Sequence, residues 1–213
     1  MYSQYGPDVP PREPPDRARV QEAVETTLGH LRVLDTGSVA ATPAAPAAAA
    51  QAVTPLTLED LYRQHRLGLV RLAILLVDEP GTAEDVVQEA FTGLHRHWSG
   101  LRDEAAALGY LRTAVVNGSR SVLRRRKTAR GYVPPHQVNA RSAESLAMLT
   151  AEHQAVVAAL GQLPARQREV LVLRYYGGMS EAEIAATTGV SRGTVKSSAS
   201  RALDALQRIL EQR

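Results

Sequence analysis

Arg192, Thr194, Lys196 and Ser197 crowd the opening of a stretch whose chemistry is recognition rather than catalysis. Guanidinium, ammonium and hydroxyl groups are the donors that phosphate oxygens and base edges accept from. Ser191, just ahead of them, is suited to cap a helix. A hydroxyl-capped helix N-terminus offers free backbone N–H groups and a partial positive charge to a phosphate. A second set is Asn117, Arg120, Arg124 and Lys127, spaced so that on a helix they share one face. Arg125 and Arg126 add charge beside them, and no acid occurs between Asn117 and Arg130. Cations gathered on one helix repel each other unless a polyanion lies over them, which favours nucleic acid over a solvated face. A third set has the opposite sign: Asp85, Gln88, Glu89 and Thr92 form an acidic, amide-bearing face, either solvated or used by a partner.

The same inventory argues against catalysis. The 213 residues include no cysteine, which removes disulfides, thiolate metal sites and cysteine nucleophiles. There is no Gly-rich phosphate loop, and the six histidines are scattered. His95 and His97 are the one close pair, and without a third ligand they read as a surface pair at a helix end. No enzymatic activity, metal or cofactor is expected. Net charge is +3, and arginine supplies nearly all the positive charge, since Lys127 and Lys196 are the only lysines. Arginine suits phosphate and base contacts, although a GC-rich genome produces the same bias. No apolar run is long enough to span a membrane, and MYSQYGPDVPPREPP lacks the basic and apolar regions of a signal peptide. A soluble, cytoplasmic protein is expected.

The donors at 192–197 need a helix pair to hold them. Ser180 with Glu183 three residues on is a capping box, so a helix is expected to begin at Glu181. Thr188-Gly189-Val190 interrupts it with a glycine suited to a left-handed turn. Ser191 then caps a second helix, from Arg192 towards Leu210. Ile184, Ala185, Val190 and Val195 fall where two helices crossing at a wide angle bury small or branched side chains. The pattern is a helix-turn-helix. Upstream, Ser142 is expected to open a helix carrying Leu146, Leu149, Val156, Val157 and Leu160. Leu163-Pro164 starts another, ARQREVLVLRYY, stopped by Gly177-Gly178.

The acidic and basic faces need a bundle of their own. Thr57 pairs with Asp60 as a capping box, and Leu61, Leu69, Val70, Ala73, Leu76 and Val77 form a wide apolar face. Asp78-Glu79-Pro80-Gly81 ends that helix, and Thr82 with Asp85 is expected to cap the next. Val87, Ala90, Phe91, Leu94 and Trp98 point inward. A third helix is expected from about Glu104 to Lys127, buried along Leu108, Leu111, Val115 and Val122. Aromatics at 4% fit a helical core better than a sheet.

The expected fold is therefore all-α: two small helical domains, 57–127 and 144–213, the C-terminal one containing the helix-turn-helix. A flexible linker, 128–143, joins them; its 16 residues reach at most about 55 Å, roughly 16 base pairs at about 3.4 Å each. Both domains could then sit on one duplex well over a turn apart. Residues 1–56 are expected to be a mostly disordered extension, net negative, with a candidate helix at 17–34. Val20, Val24, Leu28, Leu31 and Leu34 recur there at helical spacing, with Asp16 as cap and Gly37 as stop. Such a helix is marginal alone. Docking on the folded body, binding a partner and weak population all stay open.

DVVQEAF (85–91), GYLRTAVVNGSRSVLRRR (109–126) and LPARQREVLVLRYYGGMSEAEIAATTGVSRGTVKS (163–197) together resemble the extracytoplasmic-function sigma factors of bacterial RNA polymerase, in actinobacterial style. The resemblance covers about residues 57–210. It implies a promoter-specificity subunit whose partners are the polymerase core (the largest subunit's coiled coil, and the flap), promoter DNA, and an anti-sigma factor or other regulator, with no insertion into a membrane. It implies that Asp85, Gln88, Glu89 and Thr92 bind core polymerase. Asn117, Arg120, Ser121, Arg124, Arg125 and Lys127 match the part that contacts and opens the −10 element, and Ser99 to Glu104 the loop that holds a flipped base. Ser191, Arg192, Thr194, Lys196, Ser197 and Arg201 match the part that reads the −35 element. Two departures stand out: Ser198 and Ala199 stand where many relatives carry longer side chains, and residues 1–56 have no counterpart in the minimal two-domain family pattern. That arm is expected to tune activity, either by covering a basic face or by docking a regulator. Two rivals remain: a conventional dimeric helix-turn-helix regulator, which leaves Asp85 to Phe91 unexplained, and an interaction protein that sequesters a regulator.

Overall fold

The computed structural model describes residues 16–35, 57–98, 103–130 and 150–212. Among them are eight α-helices and no strand. The first, α1 (Arg17–Asp35), starts where Asp16 Oδ1 accepts from the Arg19 amide at 2.9 Å. Its apolar positions Val20, Val24, Leu28 and Leu31 are buried. Of the three fates left open for this stretch, the chain adopts docking on the folded body. The expected disorder of residues 1–15 and the Gly37 stop lie outside the described residues.

α2 (Leu58–Val77), α3 (Pro80–Arg96) and α4 (Glu104–Arg130) pack on one another as the first unit. Thr57 caps α2 as expected, accepting from the Asp60 amide. The α2–α3 corner differs from expectation. Asp78 takes a left-handed conformation (φ 68°) that closes α2, and α3 begins at once with Pro80 in its first turn, not at Thr82. Proline belongs at that place, because its fixed φ suits a helix start and its missing N–H would have no partner there. The Thr82 hydroxyl donates to Glu79 Oε2 at 2.7 Å instead of capping the helix.

α4 also runs past Lys127 to Arg130, so the first residues assigned to the linker are helical. Thr128 Oγ1 donates to the Arg124 carbonyl, a bond back into the helix of the kind that prolongs it. Its buried side is Ala107, Leu111, Val115 and Val116, with Leu108 and Val122 only half-buried.

The second unit comprises α5 (Ala151–Gln162), α6 (Ala165–Leu171), α7 (Glu181–Thr188) and α8 (Arg192–Glu211). Thr150 caps α5; Ser142, Leu146 and Leu149 lie outside the described residues. α6 continues into a π-helical turn, Val172–Tyr176, before Gly177 and Gly178 stop it. α7 has eight residues, too short to persist alone. It is held by its capping box and by burial of Ile184 against α8, a side chain whose removal from water contributes about 1.5–3 kcal/mol.

The two units touch. Arg168 of α6, 5% exposed, donates to both carboxylate oxygens of Asp78 (2.9 and 3.1 Å) and to the Leu76 carbonyl (3.0 Å). The Tyr176 hydroxyl donates to the Gly68 carbonyl at 2.9 Å, and burial raises the pKa of this phenol, so it stays a neutral donor. α1 packs on the π turn, α8 and α5, and also meets α2.

Candidate nucleic-acid interface

The helix-turn-helix forms as the local sequence dictates. Ser180 accepts from the Glu183 amide while the Glu183 carboxylate accepts from Ser180, completing the capping box. These hydrogen bonds hold the Glu183 carboxyl below its ordinary range. Gly189 takes φ 68° with open space where a Cβ would stand, so the turn needs glycine for its backbone alone. Ser191 Oγ accepts from the Thr194 amide at 3.1 Å and lies 2.9 Å from the Thr194 hydroxyl. Ile184 and Val195 are buried where α7 and α8 cross, and Ala185 and Val190 are half-buried beside them.

Arg192, Lys196, Ser197 and Arg201 are exposed along one side of α8. Thr194 is half-buried by its part in the cap. Arg201 rests on Ser197, donating to its carbonyl and its hydroxyl. Arg192 and Lys196 have no acidic partner among the described residues. Ser198 and Ala199, by contrast, are buried and pack inward. Their small size is a packing matter and alters no side chain on the exposed face.

On α4, Asn117, Arg124, Arg125 and Lys127 are exposed, while Ser121 is half-buried and its Oγ lies 3.5 Å from Arg124 Nη2. Arg120 is engaged. Its Nε and Nη2 donate to Glu169 Oε1 (2.5 Å) and Oε2 (2.8 Å), and its Nη1 donates to the Thr188 carbonyl at 2.9 Å. Arg126 has a structural role that charge counting misses: it donates to the Val77 carbonyl, to Glu79 and to the Thr82 hydroxyl, fixing α4 on the α2–α3 corner. Between α4 and the second unit lies a cleft of about 470 Å³, lined by Arg120, Arg124, Lys127, Arg166 and Glu169.

Asp85, Gln88, Glu89 and Thr92 are all exposed on the outer face of α3, and Thr92 Oγ1 donates to the Gln88 carbonyl. Val87, Ala90, Phe91 and Leu94 are buried behind them, with Trp98 half-buried. Tyr62 of α2, 43% exposed, stands edge-on to Phe91. Of Ser99 to Glu104, residues 99–102 lie outside the described ones. Asp103 caps α4 through the Ala106 amide, and Glu104 pairs with His65 at 3.0 Å. No group of His, Asp and Glu able to hold a metal ion occurs among the described residues, and no helix there is long and apolar enough to cross a membrane. Of the N-terminal arm, the described part is α1, which lies against α5, the π turn and α8 and also meets α2.

A helix-turn-helix beside a second cationic helix defines a DNA-binding protein of transcription. Residues 61–129 match sigma-70 region 2 and residues 153–206 match sigma-70 region 4. The chain is 35% identical over 158 residues to the RNA polymerase sigma-E factor of Streptomyces avermitilis, covering 74% of this chain and 87% of that one. It is 36% identical over 152 residues to the ECF RNA polymerase sigma factor SigM of Mycobacterium tuberculosis, covering 71% and 76%. The sigma factor RpoE of Bartonella quintana, solved with the anti-sigma factor NepR, superposes with a TM-score of 0.54 at 25% identity, over 71% of this chain and 97% of that one. CnrH, solved with the cytosolic domain of CnrY, shares the fold at 22% identity, with a TM-score of 0.51 over 89% and 98%. The chain belongs to the extracytoplasmic-function sigma factors of bacterial RNA polymerase. It is a sigma factor, directing promoter-specific initiation as a partner of the polymerase core.

Proposed function

We propose that this sigma factor divides its work among three faces. Asp85, Gln88, Glu89 and Thr92 on α3 grip the coiled coil of the polymerase's largest subunit. Asn117, Arg120, Ser121, Arg124, Arg125 and Lys127 on α4 contact and help to open the −10 element. Ser191, Arg192, Thr194, Lys196, Ser197 and Arg201 enter the major groove at the −35 element, with the start of α8 set against a phosphate. The first domain begins at 57 and takes in α4 to Arg130, the second is 144–213, and the residues between them join the two. The chain itself performs no catalysis, uses no cofactor and works in the cytoplasm, where the polymerase is. The observation that carries this reading is the pair of exposed cationic sets that have no acidic partner among the described residues, Arg124, Arg125 and Lys127 on one unit and Arg192 and Lys196 on the other. The solved neighbour RpoE, bound to the anti-sigma factor NepR, supports an anti-sigma factor as a further class of partner.

The test is reconstitution. The purified chain added to core polymerase should produce run-off transcripts with defined 5′ ends on genomic fragments. Asp85→Ala or Gln88→Ala should lower core affinity about five- to thirtyfold, the range for an interface residue worth 1–2 kcal/mol, with helicity unchanged. Full core affinity in both variants removes the α3 assignment.

A further inference from the structure

We propose that α1 is a built-in clasp: it holds the two units closed on each other and so withholds the α4 face from promoter DNA until it lets go. The inference rests on the promoter-reading roles given above to α4 and to the helix-turn-helix.

The closed arrangement cannot read two separated elements. Arg120 Nη1 lies 2.9 Å from the Thr188 carbonyl, so α4 abuts the first helix of the helix-turn-helix. Reading sites more than one turn apart requires the units to part by more than about 34 Å. The space left between them, about 470 Å³, is that of a small-ligand pocket and not of an open groove that a DNA strand can follow. Arg120 is occupied by Glu169 throughout.

α1 is placed to maintain that state. Its N-terminal end is pinned to α8, where Arg17 donates to Ser200 at 2.8 Å and pairs with Asp204 at 3.3 Å. At its other end the Arg32 guanidinium fills the space beside Gly178, where a Cβ would come within 2.6 Å of Nη1. Between these points Val20, Val24, Leu28 and Leu31 are buried, and the same helix meets α2 of the first unit. α1 lies outside both stretches that match sigma-70 regions, 61–129 and 153–206. It is an addition to them.

The docked face also carries defects suited to release. Thr27 is wholly buried, and among the described residues its hydroxyl has no partner. His153 Nδ1, in the ring set 5.5 Å from His30 of α1, is in the same position. Burial first, and then the charge of Arg32, lower the pKa of Arg112 on α4, so a like charge faces α1 from the first unit; Glu183 and Tyr176 oppose that effect. The α3 face, meanwhile, stays exposed, so polymerase can dock before the DNA face is released.

The chain has no cysteine, so Gln64→Cys on α2 and Glu211→Cys on α8 give one label pair for distance measurement in the full-length protein. Val24→Asp with Leu28→Asp should move that pair to long distances. Binding of single-stranded DNA from the −10 region of a promoter mapped by run-off transcription should then tighten about tenfold, if the open form is about one part in ten of the wild type. Two milder variants keep the apolar core intact. Arg17→Glu, which sets like charge against Asp204, should open the chain, and Thr27→Val, which replaces the unpartnered hydroxyl by a methyl group, should close it further and weaken binding. If the double variant does not fold, these two carry the test. Unchanged distances in both overturn the clasp, as does opening with no gain in DNA binding. If the labels move as expected but no form of the chain initiates transcription with core polymerase, the promoter reading is what fails, and the clasp falls as a control on it.

Discussion

Lys196 and Arg120 are both cations on DNA-facing helices, yet their surroundings set different expectations. Lys196 is exposed with no acidic partner among the described residues, so its charge is available to a phosphate. Lys196→Ala should weaken promoter binding by the holoenzyme across all sequences and reduce the slope of log affinity against log salt by about one. Arg120 already makes three charge-assisted contacts within the chain, so its alanine variant loses an internal tie together with a DNA contact. A salt titration of both variants separates the roles: a Lys196→Ala slope equal to wild type removes Lys196 from the phosphate contacts. This difference was not legible in the sequence. Arg120 and Glu169 are 49 positions apart, Arg126 and Glu79 are 47 apart, and Arg168 and Asp78 are 90 apart. Nothing local distinguishes these arginines from Arg124 or Arg125, which remain exposed.

Helices were more readable, because the signals that start and stop them are pairs three residues apart or single backbone conformations. Ser180 with Glu183, Ser191 ahead of Arg192, and Gly189 between them specify the helix-turn-helix locally. The misreadings were local too. Pro80 reads as a stop for α2 and also opens α3, and Thr128 reads as linker although its hydroxyl bonds back into α4. Two tests belong at this scale. A Cβ at 189 meets open space, so Gly189→Ala costs the left-handed backbone alone, about 1–2 kcal/mol, measurable by thermal unfolding; no loss of stability means the turn has rearranged. The Glu183 carboxyl is held below its ordinary range by Ser180. A depressed carboxylate contributes stability that is fully present above its unfolded pKa and is lost as pH falls through the lowered folded value. Stability of the wild type should therefore decline towards Glu183→Gln as the solution is acidified through and below the usual carboxylate range. Parallel pH profiles for the two proteins count against a stabilising capping box.

At the scale of the whole molecule, the sequence supplied two helical units and an arm but not how they sit together, since that depends on contacts between distant stretches. The arm is expected to cover a basic face or dock a regulator; its helix α1 braces the second unit and also meets α2 of the first. Arg168 tests the join. The residue is 5% exposed, and its guanidinium grips Asp78 and the Leu76 carbonyl. Arg168→Ala removes a buried guanidinium from Asp78 and from the Leu76 and Gly161 carbonyls, so the closed form should lose about 3 kcal/mol. The label pair on α2 and α8 should report a larger open fraction, and an unaltered distance distribution shows that the pair does not govern closure.

The burial of Arg168 has a bearing on timing as well. A guanidinium drawn from its pocket regains the hydration it gave up, so the finished escape costs little. Halfway out, however, it has left its carboxylate before water can reach it. Individual molecules should accordingly switch between two dwell states in abrupt jumps, with few intermediate distances, and the lifetime of the shut state should shorten steeply on warming.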